Sequence, residues 1–154
     1  SEPGAVPSFA EVLPTVASRE EASPKIESIR ITPRLSVGGL PSGFDRFLDT
    51  KTIVGRNGER LVLQQFVSTS LKATVTVAIQ EENQREASFK LESYVLSTIE
   101  IDGMPQLYEY KTETTLTSNV LGWVVDSTTL VTVTSREIPA AELVEWVKRV
   151  EVSQ

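Results

Sequence analysis

The chain has 154 residues, 40% apolar and 23% charged, with 15 basic against 21 acidic side chains and a net charge of −6. That length suits one domain with a buried core. No run nears the roughly 18 apolar residues of a membrane-spanning helix, and an acidic chain with scattered Lys and Arg lacks the basic footprint of a nucleic-acid binder. There is no Cys and no His, which removes disulfides, thiolate nucleophiles, zinc–thiolate sites, the commonest general base and the commonest transition-metal ligand.

Residues 1–25 are rich in Pro, Ser, Ala and Glu and read as an N-terminal arm. Ser8 with Glu11 three residues later can cap a short helix that Pro14 stops. The domain itself is expected over residues 26–154. From Ile26 to Ile31 apolar and polar residues alternate, a strand ended by Pro33. Val37-Gly38-Gly39-Leu40-Pro41-Ser42-Gly43 is a turn-rich linker, and Phe44 to Val54 runs extended. Asn57-Gly58 then signals a type I′ hairpin, because only residues tolerant of positive φ suit its two central positions. Lys51–Gly55 should therefore pair antiparallel with Arg60–Val67.

After Ser68-Thr69-Ser70, Ala73, Val75, Val77 and Ile79 share one face and Thr74 and Thr76 the other, a strand with one buried side. Residues 81–86 form a charged, solvated connection. Ser88 to Ile101 is β-compatible, and Asp102-Gly103 makes a tight turn. Leu107 to Glu113 alternates, with Tyr108 and Tyr110 on one face and Glu109 and Glu113 on the other. Leu121–Asp126 and Thr128–Thr134 are two further strands, the last dense in β-branched residues, joined by a turn at Asp126-Ser127. The period then changes from two to 3.6. Pro139 suits a first helical position, and a helix over 139–151 would carry an apolar stripe of Leu143, Trp146, Val147 and Val150.

No constellation points to chemistry. Glu109 and Glu113 sit four strand residues apart, about 13 Å, too far for a glycosidase carboxylate pair about 5 Å apart. Asp102 and Asp126 occupy turns, where Asp serves local hydrogen bonds. There is no nucleophile elbow, no Ser-x-x-Lys, no phosphate loop and no calcium-loop spacing. The expectation is no enzyme, no metal and no cofactor. Four aromatic residues, Tyr108, Tyr110, Trp123 and Trp146, are the candidates for contact with a partner or ligand, since exposed aromatics dominate binding hot spots.

Four stretches are similar to a known family. They are Leu40-Pro41-Ser42-Gly43-Phe44, then Ile99-Glu100-Ile101-Asp102-Gly103 with Tyr108-Glu109-Tyr110, then Leu121-Gly122-Trp123 with Val131-Thr132-Val133, and Ile138-Pro139-Ala140-Ala141-Glu142-Leu143. Across Leu40 to Val150 the chain resembles the β-rich extracytoplasmic C-terminal domain of anti-sigma-factor-like bacterial membrane proteins and lipoproteins, with its lipoprotein-carrier and RseB-like architecture. The resemblance implies display in the bacterial cell envelope through an anchor before Ser1, and no catalytic residues to carry over. The family's closing helix continues with a small, Ser-containing pattern, whereas this chain reads Val144-Glu145-Trp146-Val147-Lys148-Arg149.

Pattern and resemblance together set an α+β expectation: a curved antiparallel sheet of six to nine strands, covered on its concave face by the C-terminal helix. The expected function is a non-catalytic extracytoplasmic sensor or protein-interaction domain, touching the membrane only through its anchor. A carrier holding an apolar ligand between sheet and helix is the alternative. A carboxylate-dependent hydrolase ranks last.

Overall fold

A computed structural model describes residues 28–56, 58–81, 94–111, 117–126 and 128–153. The expected N-terminal arm, the charged stretch from Glu82 and Glu113 lie outside those residues. Among the described residues the chain is mostly antiparallel β-sheet, with one short helix near the C-terminal end. In order come β1 (Ile29–Arg30), β2 (Leu35–Val37), β3 (Arg46–Phe47), β4 (Lys51–Val54), β5 (Arg60–Ser68), β6 (Ala73–Glu81), β7 (Tyr94–Ile99), β8 (Leu107–Lys111), β9 (Asn119–Asp126), β10 (Thr129–Ser135), α1 (Ala140–Val147) and β11 (Val150–Val152).

Among the described residues these strands form two sheets. The larger runs β3-β5-β6-β10-β9-β8-β7, with β4 also on β5, and the smaller runs β1-β2-β11. Period two explains the larger one. On β5, Val62, Gln64, Phe66 and Ser68 are buried, and on β6 so are Ala73, Val75, Val77 and Ile79. The two strands pair from Arg60↔Glu81 to Ser68↔Ala73, which sets these residues side by side on one face. They join Leu107, Leu121, Trp123, Val131 and Val133, the small sheet's Ile29, Leu35, Val37 and Val150, and the helix's Leu143, Trp146 and Val147 in a single apolar cluster. Each such side chain contributes about 1.5–3 kcal/mol on leaving water.

The expected hairpin forms, with Lys51↔Leu63 through Val54↔Arg60 in register. Its turn differs in detail from a two-residue type I′ connection. The Gly58 amide donates to the Gly55 carbonyl at 3.2 Å, and the Gly55 amide to the Glu59 carbonyl at 2.8 Å. Three residues therefore separate the closing pair, and Gly58 takes the left-handed position at φ 85°, as in three-residue hairpin loops that end on a left-handed glycine. The Asp102-Gly103 turn is also present, with Gly103 at φ 81° and the Met104 amide on the Ile101 carbonyl.

Between β3 and β4 the extended run breaks at Leu48–Thr50, and Gln64 accounts for the break. It is 2% exposed and satisfies its own polar atoms there: the Thr50 hydroxyl donates to its Oε1 at 2.6 Å, while Nε2 donates to the carbonyls of Leu48 and Gln65. A buried amide must be paired in this way, so the edge bends to reach it.

The helix is shorter than the sequence pattern suggests. It ends at Val147, and Val150–Val152 forms a strand instead, pairing Val150↔Val37 and Val152↔Leu35. Val150 is buried as a strand residue rather than as the end of a helical stripe. The Gly38 amide takes the Arg149 carbonyl at 2.7 Å, a long-range partner that outweighs one more helical turn ending in β-branched residues. Pro139 sits one place earlier than expected, as the N-cap with ψ 153°.

Candidate functional site

The four aromatic candidates do not gather into one exposed patch. Trp146 is 2% exposed, Trp123 3% and Tyr110 6%, and only Tyr108 is half-buried. Exposure was the reason for choosing them, and it fails for three. Trp146 is a core anchor: its ring meets Phe44 edge-on with centroids 4.9 Å apart and Phe66 at 5.0 Å. Tyr108 and Tyr110 lie on the far face of the larger sheet. There Tyr110 leans over Gly122, where a Cβ would come within 2.9 Å of its Cε1. Burial pushes the Tyr110 phenol up to about 12.

The space between sheet and helix is filled by Trp146, Leu143, Phe66 and Val147, all buried. At one end an open groove of about 330 Å³ remains, bounded by Met104, Trp123, Val125, Val147, Val150 and Val152 with Lys148 near by. It brings Trp123 to the wall of a concavity. Lys148 is engaged by Glu145 at 3.6 Å.

A polar cluster that sequence reading did not single out lies where the two sheets meet. Arg34, at the start of β2, donates Nη1 to Glu81 Oε2 at 2.8 Å and to Thr129 Oγ1 at 3.1 Å, Nη2 to Asp126 Oδ2 at 3.1 Å, and Nε to the Ser153 carbonyl at 3.0 Å. The Ser153 amide returns a bond to the Arg34 carbonyl at 2.8 Å. One guanidinium thus ties β2 and the end of β11 to the ends of β6, β9 and β10. Asp126 also accepts the Thr128 amide and hydroxyl, both at 2.9 Å. The Thr128 amide first, then the hydroxyls and Arg34, hold its carboxyl at about 2. Two carboxylates bridged by one guanidinium form a clasp that keeps a net charge of −1. The signal was in the pairing alone, since Thr129 faces Glu81 on one side and Asp126 on the other. Among the described residues, no group of three or more acidic side chains is placed to hold a metal ion.

The open edge of the larger sheet is the most exposed apolar feature. Seven large apolar side chains are exposed among the described residues, and four of them, Phe47 at 45%, Leu48 at 42%, Ile53 at 54% and Val54 at 64%, lie on β3–β4 and the bend between them. Every residue of β4 is exposed. Natural sheets ordinarily protect such edges, and grouped apolar exposure marks interaction surfaces. Lys51 and Arg56 lie along the same edge, and neither makes an ion pair among the described residues. The opposite edge, β7, also exposes Val95 and Leu96, but its register slips between Val95 and Ser97, and a bulge of that kind blunts further pairing.

In comparisons with known proteins, no protein-family model, curated protein or solved structure matches this chain.

Proposed function

We propose that this chain is a non-catalytic protein-interaction domain, displayed on the outer side of a bacterial membrane by an anchor before Ser1. The apolar β3–β4 edge carries the reading. Phe47, Leu48, Ile53 and Val54 expose apolar area along one sheet edge, on both of its faces, and such exposure supports contact with a partner. The location is supported by the resemblance of Leu40–Phe44, Ile99–Gly103, Leu121–Trp123 and Ile138–Leu143 to extracytoplasmic domains of anti-sigma-factor-like proteins. In this reading the fold is α+β. The larger sheet curves about the helix, whose Leu143, Trp146 and Val147 cover its inner face and leave the β4 edge free to bind.

The test is site-specific photo-crosslinking in the native host, with the probe placed at Ile53, Val54, Thr74 or Thr132. The reading expects one discrete adduct of the same mass from both edge positions and none from the other two. No adduct, or the same adducts from all four, overturns it.

A second reading, a carrier of an apolar ligand, draws on the groove walled by Met104, Trp123, Val125 and Val152. Its size is at the lower end for small-molecule sites, about 300–1,000 Å³. Native mass spectrometry with added lipid extract tests it: a bound lipid mass lost on Val125→Glu supports a carrier, and a clean protein mass overturns it.

A further inference from the structure

The geometry of β4 points to the kind of contact this edge makes: we infer that it takes an extended segment of another protein as an added antiparallel strand. This inference rests on the proposed interaction role and specifies its partner.

The ladder itself identifies the bonding groups. The Gly55 amide donates to the Glu59 carbonyl, so that pair is a hydrogen-bonded one. In an antiparallel ladder, hydrogen-bonded and non-bonded pairs alternate. With Val54↔Arg60, Ile53↔Leu61, Thr52↔Val62 and Lys51↔Leu63 in register, Ile53 and Lys51 turn their amides toward β5. Thr52 and Val54 turn theirs away. The amides and carbonyls of Thr52 and Val54 therefore form two outward donor–acceptor pairs about 7 Å apart, the spacing that one further strand satisfies. Neither residue has another hydrogen-bond partner among the described residues.

Side chains select the occupant. Ile53 and Val54, more than half exposed on opposite faces of β4, give an incoming strand apolar contact on both sides. Lys51 and Arg56 place two positive charges along the strip, with Asp49 at one end and the Glu59 carboxylate beside Gly55 at the other, so Lys51 is the cation farthest from Glu59. Self-pairing centred on Ile53 would also use both outward pairs, setting Thr52 against Val54 and Lys51 against Gly55 of the second copy, so a dimer is the competing outcome that the test has to separate from a partner strand. A strand of alternating apolar and polar residues with a carboxylate near Lys51 fits both the backbone and the charge.

The probe is a synthetic seven-residue peptide of alternating Val and Thr with one central Glu, titrated into the whole chain and followed by amide chemical shifts. The informative variants are Thr52→Pro and Val54→Pro. Each removes a donor that the fold does not use, a place where an edge strand tolerates proline. The inference expects shifts at β4 and β5, at least tenfold weaker binding to either proline variant, and weaker binding to Lys51→Glu. Retained dispersion at β6, β9 and β10 shows that the variants fold. Equal binding to wild type and Val54→Pro, shifts at β7 instead, a concentration-dependent dimer in sedimentation, or no binding overturns strand addition. If the Ile53 crosslink persists in Val54→Pro, the interaction role stands and only the strand mode falls. If no crosslink forms from Ile53 in the unaltered chain, the interaction role itself falls.

Discussion

Truncating Trp146 to Ala tests how the helix is held to the sheet. Trp146 is 2% exposed and touches Phe44 and Phe66 with ring centroids 4.9 and 5.0 Å away. Removing a buried Trp costs about 3–5 kcal/mol through lost transfer energy and the cavity left behind, within which each aromatic contact contributes about 0.5–1.5 kcal/mol. Against a usual total of about 5–15 kcal/mol, that is about a fifth of the stability or more. The other tryptophan, Trp123, remains as a fluorescent reporter in urea unfolding. With a slope of about 1–3 kcal/mol per molar urea, the midpoint should fall by roughly 2 M. A cycle with Phe44→Leu should show a coupling of about 1 kcal/mol, because the two rings meet directly. A loss below about 1 kcal/mol with a two-state transition would refute the reasoning, since it would mean that the helix docks without Trp146.

Three further outcomes follow from the sites described. Asp126 is held at about 2, below its ordinary 3.8, so its stabilising effect is complete above pH 4 and is lost as pH falls toward 2. Its side chain is 36% exposed, and solvent screening reduces the effect to about 1 kcal/mol; Asp126→Asn should lose this pH dependence in acid unfolding, and an unchanged profile would show that the bonds from Thr128, Thr129 and Arg34 do not hold the carboxylate. Gly122→Ala should destabilise by about 1–2 kcal/mol in thermal melts, because its Cβ would meet Tyr110 Cε1 at 2.9 Å and Thr132 Cγ2 at 3.3 Å and overpacking outweighs the backbone gain; the loss should shrink when Tyr110 is also changed to Leu. With Tyr110 raised to about 12 by burial, an absorbance titration should show one tyrosine ionising late, and stability falling from pH 10 to 12 as the unfolded chain releases that proton first.

Much of the sheet was legible because period two is a local property. Ala73, Val75, Val77 and Ile79 declare their face within a few residues and Gly58 marks the hairpin, whereas β5 hides its face because Leu61 and Leu63 lie opposite the buried Gln64. The end of the helix was not legible. Val150 lies four residues after Trp146 and three after Val147, so helical spacing continues into a segment that long-range pairing with Val37 claims for a strand. The apolar patterns around Trp123 and Trp146 already pointed to the core, where both lie; burial of Tyr110 was hidden, because only the packed fold decides whether the far face of the sheet is covered. The Arg34 clasp joins residues 47 and 92 positions apart, beyond any local pattern. The β4 edge depends on strand order, in which Lys51–Val54 precedes its partner β5 in sequence and, among the described residues, lies at the edge of the sheet in space.

Amide hydrogen exchange on the unbound chain tests the central claim most directly, because a binding edge must be open before a partner arrives. The amides of Val62, Val75, Val77 and Val131, deep in the larger sheet, should be protected, as should Ile53, which faces β5. Those of Thr52 and Val54 should exchange close to the free-chain rate. Protection of Thr52 and Val54 matching that of Ile53 would contradict the account, since it would show the outward face of β4 already paired.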